Sequence, residues 1–92
     1  MRYRRATEAI SRRVGVDVLV ATLSEGELHE LSGGASAVWR DLEVPRTGAE
    51  LIERLAAEHD VAASAIAQDV AVCLNSLLKL GVVHEDGDGL DE

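Results

Sequence analysis

The side chains best able to act as a base, a nucleophile or a metal ligand are His29, His59, His84 and the single cysteine, Cys73. They are scattered along the chain. No histidine stands four residues from another histidine or from the cysteine, so the spacing that lets one helix or loop hold a zinc ion is missing. Cys73 sits in the run VAVCLNSLL, with no neighbouring cation to lower its pKa and make a reactive thiolate. It suits either a buried small hydrophobe or the wall of a groove. His59, near the end of a predicted helix, suits a surface group favoured by the helix dipole. His29, in a short predicted strand, suits either plain surface or a ligand-facing position. Gly33-Gly34 precedes a predicted helix but lacks the G-x-x-x-x-G-K-[ST] and G-x-G-x-x-G frames. Trp39 falls on a helical core position. No catalytic residue, metal ligand or cofactor is therefore expected, and the chain reads as a non-enzyme.

The elements that would position these residues follow from periodicity. Val14, Val16, Val18 and Val20 alternate, with Leu19, Ala21 and Leu23 on the other face, which is the pattern of a strand. Ser24-Glu25-Gly26 signals a tight turn. A short strand is expected over 27–31, with Leu28 and Glu30 on one face and Glu27, His29 and Leu31 on the other. Ser32 can cap a helix carrying Ala35, Val38, Trp39 and Leu42 on one side. Pro45 breaks the chain, and Thr47-Gly48-Ala49-Glu50 is a capping box opening a second helix that buries Leu51, Ile52, Leu55 and Ala56. A third helix is expected over 63–80, with Ile66, Val70, Cys73, Leu74, Leu77 and Leu78 as its apolar stripe and Gly81 as its stop. Val82 and Val83 suit a short last strand. Residues 1–9, MRYRRATEA, show no clear period and are expected as a flexible basic arm. Residues 85–92, EDGDGLDE, are expected as a disordered acidic tail. Residues 10–84 then form one domain, an α+β winged helix-turn-helix.

Ninety-two residues suffice for one small core, and with Tyr3 and Trp39 as the sole aromatics that core must be aliphatic. Charge is uneven. Residues 1–13 hold five arginines against Glu8, whereas residues 14–92 hold four basic and sixteen acidic groups. Such a body repels a nucleic-acid backbone and attracts a basic peptide or protein surface. The third helix adds Gln68, Asn75 and Lys79 to its stripe but also Asp69, a poor set for reading DNA. With no apolar run of transmembrane length and no secretory signal, a cytoplasmic, membrane-free chain is expected.

In order and spacing, a strand ending at Leu31, the segments GGASAVWRDL and TGAELIERLAAEHDV, and QDVAVCLNSLLKLGVV together resemble the PqqD-like family of RiPP precursor recognition elements. The resemblance spans residues 18–83. Relatives often place a Ser-Pro-type cap before the last helix, where this chain has VAAS at 61–64. The resemblance implies an N-terminal three-stranded antiparallel sheet followed by three α-helices, used to bind peptide. The leader of a ribosomally made precursor would add as an antiparallel strand beside the third strand, in a groove against the last helix. Chains of this size resemble the leader-binding subunits of lasso-peptide pathways, which work with a leader peptidase and a cyclase. A peptide chaperone for a radical SAM enzyme is the alternative, and a DNA-binding regulator a weaker one. A monomer or weak homodimer is expected.

A short strand near the end of a small sheet would leave an open edge for such strand addition. The groove is expected to draw on Glu27, Leu28, His29, Glu30 and Leu31 and on the helical flank Asp69, Val72, Cys73, Ser76 and Leu80, a continuous stripe. Val72, Cys73 and Leu80 would receive apolar side chains, and Glu30 and Asp69 would pair with leader Lys or Arg. Cys73 and Leu80 equally suit the core.

Overall fold

The computed structural model describes residues 1–23 and 25–86. Along the chain they form β1 (Arg2–Arg5), β2 (Ala9–Val14), β3 (Asp17–Thr22), β4 (Leu28–Leu31), α1 (Gly33–Asp41), β5 (Arg46–Thr47), α2 (Gly48–His59), α3 (Ala63–Leu80) and β6 (Val83–Asp86). The architecture is α+β, with the antiparallel sheet β2-β3-β4 followed by three helices. A second antiparallel sheet, in the order β5-β1-β6, ties the two ends of the chain together.

That second sheet corrects the expected arm. β1 is its central strand, with Arg2 opposite Thr47 on one side and Asp86 on the other. Arg4 donates from Nε to both carboxylate oxygens of Asp86, at 3.0 and 2.8 Å. Arg5 donates from Nε and Nη2 to the Trp39 carbonyl, at 3.1 and 2.7 Å, and its guanidinium lies 4.5 Å over the indole ring. The strand is built by main-chain pairing and by guanidinium contacts to distant partners, so it carries no apolar alternation for periodicity to detect. The expected acidic tail is corrected in part. Glu85 and Asp86 belong to β6, and residues 87–92 lie outside the described residues.

The run of alternating valines is also two strands rather than one. Val14 pairs with Asp17 around a two-residue loop, Gly15-Val16, and Gly15 supplies the positive φ, +66°, that such a loop favours. Val14 and Val16 are consequently exposed, while Val18 and Val20 enter the core. The Ser36 hydroxyl donates to the Val16 carbonyl at 2.8 Å and fastens this turn to α1.

One core lies between the sheet β2-β3-β4 and the helices, joining Val18, Val20 and Leu31 to Val38, Trp39 and Leu42, to Leu51 and Leu55, and to Val70, Leu74 and Leu77. The capping box opens α2 as the sequence predicts. Glu50 N–H donates to Thr47 Oγ1 at 3.1 Å, and Thr47 N–H donates to Glu50 Oε1 at 2.8 Å. At α3 the N-cap is Ala62, which has no side-chain oxygen to receive the free amides of the first turn.

Candidate peptide-binding site

The strand β4 pairs only with β3, so its second edge is unpaired among the described residues. Its side chains divide by the strand period. Leu28, 66% exposed, and Glu30 point outward. His29 is half-buried, and Leu31, 4% exposed, is in the core. At Leu31 the side chain is thus spent on the fold and only the main chain remains for a partner. Glu27, just before the strand, is exposed, and its carboxylate lies 3.8 Å from His29 Nε2.

The helix α3 packs chiefly on α1, α2 and β6. Only Val70, Leu74 and Leu77 of its eighteen residues are buried, an unusually small share for a helix so rich in Ala, Val and Leu. The predicted flank runs beside this buried line. Cys73 and Leu80 are half-buried and pack on the core, whereas Asp69, Val72 and Ser76 are exposed.

The structure brings Asp69 and Cys73 together at a cavity of 160 Å³ between the three helices. Gly34, Ala37 and Val38 of α1, Leu55 and His59 of α2, and Ile66 and Val70 of α3 complete its lining. Glu27 to Leu31, Val72, Ser76 and Leu80 do not line it. The cavity nonetheless begins close to the open edge, because only Ser32 and Gly33 separate the end of β4 from Gly34. Gly34 also sets how closely α1 and α3 approach. A Cβ there would lie 2.9 Å from Cys73 Sγ, well inside contact distance. Burial, and secondarily the negative charge of Asp69, push the Cys73 thiol pKa up. At neutral pH it is an apolar wall rather than a nucleophile.

The α1 and α2 lining, His59 included, escaped sequence reasoning, because each residue reads as an ordinary helical core or surface position. A second arrangement escaped it as well. Ligand atoms of Glu25, Glu27 and His29 lie within 4.8 Å of one another, although no two histidines or cysteines are suitably spaced. The turn at Gly26, φ +72°, brings Glu25 back toward Glu27 and His29, and the three concentrate negative charge just before β4. Glu30 on β4 and Asp69 on α3 are exposed acids as well.

A model of the family described as coenzyme PQQ synthesis protein D (PqqD) matches residues 15–83. The chain belongs to the PqqD family. The matched span takes in β3, β4, all three helices and the start of β6, and so includes both the open edge and the cavity of this PqqD family member. Its fold is similar to that of TbiB1 solved in complex with the TbiA(beta) leader peptide, with a TM-score of 0.79 and 20% identity over 92% of this chain and 99% of that one. A search among curated proteins found no match.

Proposed function

We propose that this PqqD family chain is a non-catalytic module that binds the leader of a ribosomally made precursor peptide. The leader adds as an antiparallel strand to the open edge of β4, lies against the exposed flank of α3, and is handed to a leader peptidase or another modifying enzyme. The observation that carries this reading is the unpaired edge of β4 at Leu28–Leu31, followed after Ser32 and Gly33 by an inter-helix cavity that α3 lines with Ile66, Asp69, Val70 and Cys73. Main-chain bonds along β4 supply affinity with little sequence demand, and side chains beside the edge supply selectivity. The likeness to TbiB1, a structure that holds a leader peptide, supports the same reading. The exposed acids Glu27, Glu30 and Asp69 favour leaders with Lys or Arg near the paired segment. A lasso-peptide precursor is the proposed substrate, and the proposed setting is cytoplasmic.

Delivery to a radical SAM enzyme uses the same groove and differs only in the recipient; the family's description as a coenzyme PQQ synthesis protein favours keeping it as the second reading. The test is fluorescence anisotropy with a labelled leader peptide from the neighbouring precursor gene, beside labelled duplex DNA. Saturable peptide binding with flat DNA data is expected. Flat peptide data with salt-sensitive DNA binding would overturn the reading.

A further inference from the structure

The sheet β2-β3-β4 has a second open edge, and its chemistry is the opposite of the first. Among the described residues β2 pairs only with β3, and its residues from Ile10 to Val14 are exposed. Ser11 and Arg13 stand opposite Val20 and Val18, on the face of the sheet that turns toward the helices. They overhang a cavity of 250 Å³ walled by Arg5, Trp39, Arg40 and Glu43, with Val18 at its base. Three guanidinium groups therefore meet one carboxylate around a single space.

Their partners leave that space under-neutralised. Arg5 is fixed in place by the Trp39 carbonyl and ring. The Arg40 side chain has only a 3.4 Å contact from Nε to the Ser36 carbonyl, and the Arg13 side chain has no hydrogen bond or ion pair to any described residue. Arg12 stands exposed on the other face of the same strand.

We infer that this cavity and the β2 edge above it dock an acidic segment of a partner protein. A guanidinium fork matches a carboxylate in shape as well as in charge, and Arg5, held over Trp39 through Nε and Nη2, offers its remaining Nη1–Nη2 edge at little ordering cost. The free main chain of β2 can pair with the same segment as a strand. A polyphosphate backbone is a poorer fit, because the chain beyond residue 13 carries sixteen acidic groups against four basic ones. The sheet thus has an acidic edge at β4 and a basic edge at β2, separated by β3, and a peptide on one does not displace a peptide on the other. The inference does not depend on the leader-binding reading.

The test uses the whole chain and labelled octaglutamate, with a single-stranded oligonucleotide of equal length in parallel. Saturable, salt-sensitive octaglutamate binding is expected, with a change in Trp39 emission. Arg13→Glu and Arg40→Glu each weaken it at least about tenfold, and Lys79→Glu, a reversal of an exposed lysine in the last turn of α3, leaves it unchanged. Arg13 and Arg40 are exposed, so unaltered melting temperatures show that the variants fold. The proposal is overturned by absence of octaglutamate binding, by an equal loss in Lys79→Glu, or by tighter binding of the oligonucleotide. It is also overturned if removing residues 87–92 raises octaglutamate affinity more than about tenfold, because the chain's own acidic segment is then the occupant.

Discussion

At Cys73 packing, charge and the inter-helix cavity meet in one side chain. Its Sγ meets the α1 backbone at Gly34, its pKa is held up by burial and by Asp69, and it borders the inter-helix cavity. A raised thiol pKa means less thiolate at neutral pH, so Cys73 should react with iodoacetamide more slowly than a free cysteine. Asp69→Asn removes the secondary, electrostatic cause and should speed alkylation near pH 8; an unchanged rate would show that Asp69 does not act on the thiol. Bound leader should slow alkylation further. At the other wall, Leu28→Glu places a charge beside the added strand and Asp69→Ala removes one from the flank of α3. Both should weaken leader binding in anisotropy titrations, and the Asp69→Ala loss should shrink at high salt, where screening already weakens that pair. Equal affinity for both variants and the parent would mean the groove lies elsewhere.

The helices differ in how well their ends are held. The Thr47–Glu50 box closes the start of α2, whereas Ala62 leaves α3 without a side-chain cap. Ala62→Asp should therefore stabilise the fold by about 1 kcal/mol, read as a higher denaturant midpoint. The backbone of Ala62 is already extended, at φ −71° and ψ 145°, as an N-cap requires. Packing between α1 and α3 has its own test. Alanine is favoured over glycine in a helix by about 1 kcal/mol, but at Gly34 the new Cβ would press on Cys73 Sγ. Gly34→Ala should destabilise the parent and stabilise a Cys73→Ala background, a coupling of about 1 kcal/mol. Additivity of the two substitutions would remove the contact as the reason for the glycine.

As a whole the molecule is a flat body of 38 × 37 × 18 Å, little more than two layers deep. Flatness explains why α3 is buried on one side only and why both edges of the sheet β2-β3-β4 stay open. It also makes the second sheet important to stability, because β1 joins residues near the two ends of the chain and anchors Arg5 on Trp39. Deleting residues 1–5 should cost about 2–3 kcal/mol and lower Tm by roughly 10–20 °C in a domain of this size. A loose arm would leave Tm unchanged, so thermal denaturation separates the two cases directly.

Local patterns determined much of this protein. Helical periodicity located α1, α2 and α3, T-x-x-E located the start of α2, and the Ser24-Glu25-Gly26 signal with the Leu31 strand located β4. Order and spacing of the same segments carried the family resemblance. These features were legible because helices, caps and tight turns depend on residues a few positions apart. The tertiary structure alone decided β1 and the extension of the expected last strand through Glu85 and Asp86, because their pairing spans nearly the whole chain and is held by main-chain bonds and guanidinium groups rather than by an apolar stripe. It alone decided that Leu31 is core, that Val14 ends β2 and that Val16 lies in the turn, since one valine looks like another until a glycine beside it adopts its φ. It alone placed His59 and Gly34 beside Cys73, and Arg5 beside Arg13 and Arg40. Cavities form between elements distant in sequence, and no local period records which residues will meet there.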